Sequence, residues 1–433
     1  MVQAIMACGT GTSPLPPRQT VDPPEMPLPG PEVGSPSVPP PAPPVEAPSV
    51  EAPPMEAVDW EVLPLFDEGV SRSVKASAPR FDASGQLWIS EARSDQIGSS
   101  SMGVVRWDGT QWRHEDSVST DGMYSTGFSL ACDAQGRMLV GWSELPARGS
   151  DPVLLWRQGT GLMPSLQTWT DTWPTRPTGG TVLSNAQGEA IYVWRDPAAD
   201  GTHRTLRSLR IQEDGYAPFA PPLPLPAEGR NFGAPLQDTQ FFALDDEGGL
   251  VAAVFDPSAP PDQGLHVWRW QGDAWTELPS LPGGAGLETL GFRIAAEAGA
   301  LVVSRSRADA KQVRLDVFRW KDGGWEALPT GVSMPRPVPS IAGGFAAVAV
   351  DAHQRVWLAY PHQDPTLGGV RVMVWTGAGW QPVGQPLRGY KKPFWAASEV
   401  ELRVQGEQAA VSWSEPTISG AGSVFVALLR AKP

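Results

Sequence analysis

Two cysteines among 433 residues, Cys8 and Cys132, are too few for a disulfide framework. Long apolar runs are missing too: outside the first few residues no stretch approaches the 18 or more that a spanning helix needs. Positive charge is in deficit, with 33 Lys and Arg against 47 Asp and Glu, a formal net charge of −14. A general nucleic-acid binder is thereby excluded, because neutralising phosphates takes clustered cations. Histidine is scarce. His114, His203, His266, His353 and His362 share no spacing, so no metal cluster is expected among them. HExxH, P-loop, GxSxG, CxxC and EF-hand patterns are all absent. "GGAGLETLG" at 283–291 is glycine-rich but lacks the dinucleotide spacing. No cofactor, metal or catalytic residue is therefore assigned, and a non-enzymatic role is the leading expectation.

What is present is apolar and aromatic. Hydrophobic residues make up 41% of the chain and Trp occurs 19 times, which supports a large core. One globular core stops growing at roughly 250–300 residues, so several domains or a repeat architecture are expected.

After residue 58 a phrase recurs. A short apolar strand ends in an acidic or polar residue, a glycine usually follows three further on, and a second apolar strand begins. It reads "FDASGQLWISE" at 81–91, "CDAQGRMLVGWSE" at 132–144, "SNAQGEAIYVWRD" at 184–196 and "LDDEGGLVAAVFD" at 244–256. It continues as "AAEAGALVVSRS" at 295–306, "VDAHQRVWLAY" at 350–360 and "RVQGEQAAVSWSE" at 403–415. From Gly85 to Gly406 the period is about 53 residues, and the sixth copy carries Gln354 in place of glycine. Each copy predicts a hairpin whose glycine supplies the positive φ of a tight turn. A second hairpin follows in most copies, as in "VVRWDGTQW" at 104–112, "VWRWQGDAW" at 267–275, "VFRWKDGGW" at 317–325 and "VMVWTGAGW" at 372–380. The second copy is degenerate near Leu162, and the third has Tyr216 instead of Trp. Four strands per repeat at this period predict an all-β fold: a seven-bladed β-propeller of four-stranded blades, with Trp filling the wedges between blades.

The count of strands leaves one gap. Seven first strands stand against six fourth strands, because the last copy stops after "SVFVALLRAKP". "VDWEVLP" at 58–64 repeats "DAWTELP" at 273–279 and "GGWEALP" at 323–329. The segment around Trp60 is therefore expected to supply the missing strand, pair in the last blade and close the ring. Closure would cover an edge that is otherwise exposed.

Before residue 58 the composition changes. Seventeen prolines fall within 14–54 and aromatics are absent there. Such a segment cannot bury enough apolar surface to order itself. In polyproline II geometry it would reach roughly 150 Å from Cys8 to Trp60. The "IMAC" that ends at Cys8 resembles the lipobox of bacterial lipoproteins, with Ile5 and Ala7 in pattern and Met6 a less usual occupant. Residues 1–7 are short for a complete signal, so the true start is expected upstream of Met1. The resulting division is 1–8 as a truncated signal remnant with Cys8 lipidated, 9–57 as a proline-rich disordered tether, and 58–433 as the propeller. As a whole the chain resembles bacterial lipoproteins carrying a kelch- or NHL-like propeller. The double-glycine rhythm of kelch blades is not kept. The Asp-box of sialidases is only echoed in "DASGQLW" at 82–88, where the Asp-to-Gly spacing is one too long. The resemblance implies an outer-membrane lipoprotein, periplasmic or surface-exposed, that meets the membrane through its lipid alone. It carries no enzymatic assignment.

Strand order places inter-blade loops and the loops between second and third strands on one rim, where they are long and variable. The inter-blade loops carry Arg176, Arg230, Arg336, Arg388, Lys391 and Lys392 beside Trp169, Trp173, Tyr390 and Trp395. Cations next to aromatics suit sugars and anionic groups. Second strands end in a carboxylate in five copies, Glu91, Glu144, Asp196, Asp256 and Glu415. Regular recurrence suits bonding within each loop, while a close pair would suit glycoside hydrolysis. The leading expectation is a monomeric, envelope-anchored binding or scaffold propeller whose partly basic central funnel meets a polysaccharide, peptide or protein partner. The alternative is a polysaccharide hydrolase or lyase that uses rim carboxylates.

Overall fold

The computed structural model describes residues 58–64, 74–94, 100–120, 123–133, 136, 138–146, 153–159, 167–168, 178–185, 187–197, 204–212, 215–225, 242–256, 259–260, 264–283, 287–335, 346–362, 369–389, 397–416 and 422–431. The chain divides into residues 1–51, none of them described, and 52–433, which holds every strand. The expected lipidation site, Cys8, and the expected tether, 9–57, lie outside the described residues.

The described strands form seven antiparallel sheets and the fold is an all-β propeller. Sheet I holds Val74–Ala76, Arg80–Phe81, Leu87–Ser94, Ser100–Trp107 and Trp112–Thr120. Sheet II holds Met123–Cys132, Met138–Pro146, Val153–Gly159 and Gln167–Thr168. Sheet III holds Thr178–Ser184, Ala190–Pro197, Arg204–Gln212 and Gly215–Leu225. Sheet IV holds Phe242–Leu244, Leu250–Phe255, Leu265–Trp270 and Trp275–Glu277. Sheet V holds Glu288–Glu297, Ala300–Ala308, Gln312–Lys321 and Gly324–Leu328, with an unanticipated fifth strand, Ser333–Pro335. Sheet VI holds Ala347–Val350, Val356–Pro361, Val370–Trp375 and Trp380–Pro382. Sheet VII joins Ser398–Gln405, Gln408–Pro416 and Gly422–Ala431 to Val58–Val62.

Turn chemistry explains the hairpins. Gly85, Gly136, Gly188, Gly248, Gly299 and Gly406 all take positive φ between first and second strands. Gln354 takes φ +58° in the copy that lacks glycine, so the turn geometry holds although the residue type does not. The acidic residue that opens each phrase ties the turn. Asp82 accepts the N–H groups of Ser84 and Gln86 at 2.8 and 3.0 Å and the Trp88 indole at 2.8 Å. Asp351 does the same with His353, Arg355 and the Trp357 indole, at 3.0, 2.9 and 3.0 Å. This is the side-chain-to-backbone bonding that makes Asp a turn residue.

Position within a sheet sets the burial pattern. Val356–Pro361 is buried throughout, since a second strand is covered by a neighbouring sheet on each face. Farther out, Val370–Trp375 alternates buried and half-buried, and Trp275–Glu277 is largely exposed.

The N-terminal strand pairs as its sequence implies. Val58–Val62 runs antiparallel to the C-terminal strand, with Trp60 opposite Leu429 and Val62 opposite Ala427. Leu63 then donates its N–H to Val426 at 2.9 Å and is buried with Phe81, Ile89 and Val105 of sheet I.

The repeated Trp-x-x-Leu-Pro phrase latches neighbouring sheets. The Trp275, Trp325 and Trp112 indoles donate to the carbonyls of Pro221, Pro279 and Pro64 at 2.8, 2.6 and 2.8 Å. Trp380 reaches Leu328 at 3.4 Å and Trp60 reaches Val383 at 2.8 Å. Each of these tryptophans but Trp60 also packs against the aromatic across its own turn, as Trp320 does with Trp325 at 5.1 Å between centroids.

A second circuit runs round the tight-turn rim. Arg80 Nε donates to Leu130 O at 2.9 Å, Cys132 N to Ser184 Oγ at 3.1 Å, and Asn185 to Asp245 O at 3.3 Å. Gly299 N reaches Asp246 at 3.1 Å, Gln354 reaches Ala298 O at 2.9 Å, and His353 meets Glu407 at 3.4 Å. Gln405 completes the circuit by donating to Asp82 O at 3.3 Å. Every sheet is thus tied to the next, and sheet VII to sheet I.

Candidate functional site

First strands line the axis, so the residues that project inward from them meet there. Two residues before the turn, most copies carry something small or apolar: Ala131, Leu183, Ala243, Ala295 and Ala349. Arg80 and Arg403 break that pattern. Four residues before the turn, Arg293 and Glu401 stand where other copies have Ala78, Ser129, Thr181, Phe241 and Ala347. These charged residues converge with Glu297 on one cavity of ≈ 80 Å³.

The cavity is lined by charge. Arg293 is 5% exposed and Glu401 8%. Burial lowers the Arg293 pKa to about 10, against the opposing pull of Glu401 and Glu399. Burial lowers that of Arg80 too, opposed by Glu401. Arg403 falls to about 9, through burial first and then the like charge of Arg80. An ion pair between Arg403 and Glu297 connects sheet VII to sheet V. Glu399 occupies a bulge in the pairing of Ser398–Gln405, at φ +50°, and its carboxylate accepts a hydrogen bond from Ser414 Oγ at 2.9 Å. A non-glycine residue there stores backbone strain of the kind that collects at functional sites. This cluster can offer carboxylates for proton transfer and guanidiniums for binding an anionic group.

Glu91, Glu415 and Asp256, the rim carboxylates whose side chains are described, are absent from its lining. Glu91 is buried within Leu87–Ser94 and lies 3.5 Å from His114 of the same sheet, reaching past Gly103, its registered partner. Glu415 is buried and accepts the Trp413 indole and the Gly389 N–H, both at 2.8 Å. Asp256 follows Leu250–Phe255, and its backbone closes a local turn with Gly264 and Ala259. Glu144 and Asp196 sit on second strands, with side chains outside the described residues.

Of the expected basic funnel, only Arg388 is described, half-buried beside the Val370–Leu387 bridge. Arg176, Arg230, Arg336, Lys391, Lys392, Trp169, Trp173, Tyr390 and Trp395 lie outside the described residues. Among those described, no three His, Cys, Asp or Glu side chains group to hold a metal, and no helix is long and apolar enough to cross a membrane.

No protein-family model and no curated protein matches the chain. Solved structures do resemble its fold. The polysaccharide lyase Uly1 is 8% identical, with 84% of this chain and 90% of that one covered at a TM-score of 0.48. An α-L-arabinanase from Penicillium chrysogenum, complexed with arabinobiose, is 11% identical over 86% and 97% at 0.43. A protein of unknown function from Dyadobacter fermentans is 13% identical over 72% and 96% at 0.45. These findings correct two expectations. The similar propellers are lyase-, glycosidase- and sialidase-type rather than kelch or NHL. The leading reading as a non-catalytic envelope scaffold is likewise corrected in favour of its alternative: the solved structures of similar fold include a polysaccharide lyase, an α-L-arabinofuranosidase and an α-L-arabinanase. At such identities the likeness speaks to fold alone, so the alternative has to rest on residues of this chain.

Proposed function

We propose that the chain is a polysaccharide-acting hydrolase or lyase whose reacting groups stand at the propeller axis, with Glu401 and Glu399 as the proton-transfer carboxylates and Arg293 between their charges. The observation that carries this reading is buried Arg293 and Glu401, with half-buried Glu399 beside them, on inner strands where most other copies present Ala, Ser or Thr. Burying such charges costs several kcal/mol per ion unless they are paired, which marks the cluster as more than a packing solution. It replaces the rim carboxylates as the site, because Glu91 and Glu415 are occupied within their own surroundings.

In this reading the seven sheets are seven blades. A glycan would approach from the rim of inter-blade loops, since the opposite rim is stitched turn to turn. The loop cations and aromatics from Trp169 to Trp395 would then guide the chain to the axis. Cys8 as a lipid anchor, 9–57 as its tether, and an address in the bacterial envelope complete the proposal, with an envelope glycan as partner.

The test is a screen of neutral and uronate-containing polysaccharides, scoring new reducing ends together with the ultraviolet absorbance of unsaturated sugars. Activity that falls at least 100-fold in Glu401→Gln, with unchanged folding, is expected. Undiminished activity in that variant refutes the assignment.

A further inference from the structure

Arg80 and Arg403 stand on different inner strands, yet each lies two residues before the same kind of turn. Gln405 donates to Asp82 O at 3.3 Å, and these two are the residues two further along. That bond ties the turns that follow the two strands, and from there Arg80 reaches Leu130 of sheet II while Arg403 reaches Glu297 of sheet V. Both line the ≈ 80 Å³ cavity. Their partners are few. Arg80 has Leu130 O at Nε, and Arg403 has Glu297 through Nη1. Arg403 Nε is buried without a hydrogen-bond partner. Other charges near the pair are Glu401 facing Arg80 and Asp246 facing Arg403, together with the Cys132 thiol.

Two cations lining one small cavity repel, an effect that Glu297 beside Arg403 and Glu401 near Arg80 offset in part. A planar guanidinium fork suits an oxyanion, since it donates in parallel to two oxygens. Size then selects what enters. A water molecule occupies about 10–15 Å³ in this measure, so the cavity takes about five waters, one tetrahedral oxyanion, or the carboxylate of a sugar whose ring stays at the cavity mouth.

We propose that the axial cavity is a binding site for a small oxyanion held between the Arg80 and Arg403 guanidiniums. Bound there, the anion joins the first sheet to the last at the seam that closes the ring. It therefore stabilises the folded propeller whether or not the axis is catalytic. Two sources supply this chemistry: free sulfate or phosphate, and the carboxylate of an acidic sugar inserted from a polymer.

Thermal unfolding of the full chain tests it, with sulfate, phosphate, glucuronate or glucose against chloride at matched ionic strength. At tenfold excess over its Kd, a bound anion raises Tm by about 2 °C for a domain of this size. Sulfate or phosphate alone raising Tm identifies a free-anion site. Glucuronate also doing so identifies a sugar-carboxylate subsite. Arg80→Met and Arg403→Met should abolish the shift, with Arg403→Met the less stable of the two because it leaves Glu297 without its ion pair. Should either variant fail to fold, Arg80→Lys with titration calorimetry on sulfate replaces it, and a weaker one-to-one isotherm than wild type is expected. No anion exceeding chloride, or an Arg80→Met variant responding like wild type, overturns the proposal. Catalysis plays no part in this readout, so its failure is separate from failure of the enzymatic reading.

Discussion

Removing residues 58–64 should loosen the whole propeller, and the structure indicates by how much. The segment supplies a five-residue strand paired from Val58–Ala431 to Val62–Ala427. Losing Leu63, 3% exposed among Phe81, Ile89 and Val105, corresponds to a large-to-small core change of about 2–5 kcal/mol. Two latches go with it: the Trp60 bond to Val383, and the Pro64 carbonyl that accepts the Trp112 indole. Each is a hydrogen bond of about 1 kcal/mol net. The sum is about 4 kcal/mol at the lower end, a large share of the 5–15 kcal/mol that holds a typical domain folded. Over 376 residues the unfolding entropy of about 2.1 cal/mol/K per residue converts this to a fall of about 5 °C in Tm. The deletion also bares the edge of Gly422–Ala431, which invites aggregation. Tryptophan fluorescence during heating of 58–433 and 65–433 is the assay. Midpoints within 1 °C of each other would refute the closure argument.

Further predictions follow from the same contacts. Trp275→Phe and Trp325→Phe should each cost about 1 kcal/mol in urea unfolding and add in the double variant, because their acceptors Pro221 and Pro279 are separate. Gly85→Ala places a Cβ 2.8 Å from Gln408 at φ +80° and should destabilise by about 1–2 kcal/mol. Asp351→Ala leaves Arg355 and the Trp357 indole without their carboxylate in a buried turn, and a loss of about 3 kcal/mol is expected in the same assay. Asp82 is held below the usual carboxylate range. Burial opposes that shift, but bonds from Ser84, Trp88 and Gln86 outweigh it. Its stabilising contribution is therefore complete above a pH of about 4 and lost as pH falls through the lower folded value. In acid titrations Asp82→Asn should flatten that part of the stability profile.

The repeat was legible because tight turns constrain both spacing and residue type. Gln354 could be aligned without its glycine, since the surrounding "VDAHQRVWLAY" kept the phrase. The closing strand was legible because "WEVLP" copies "WTELP" and "WEALP". The reason for that copy was not. The tryptophan and proline of the phrase serve different neighbours, Trp275 bonding back to Pro221 while Pro279 accepts from Trp325, and no local pattern displays a contact some 50 residues away. The axial cluster was missed for a related reason. Arg80, Arg293, Glu401 and Arg403 each stand alone in their own copy, and only stacking the copies by distance from the turn shows charge where the rest have mostly Ala, Ser or Thr. The rim carboxylates stand out in sequence because they recur, and Glu415 shows a local use for one of them, accepting the Trp413 indole and the Gly389 N–H.

The most direct test of an axial active site is the position of an oligosaccharide in crystals of the Glu401→Gln variant soaked with a fragment of whichever polymer the screen identifies. A sugar lying across the axis in contact with Arg293 and residue 401 is the predicted result. A sugar bound solely on the outer strands or the tight-turn rim, with the axis unvisited, would contradict it.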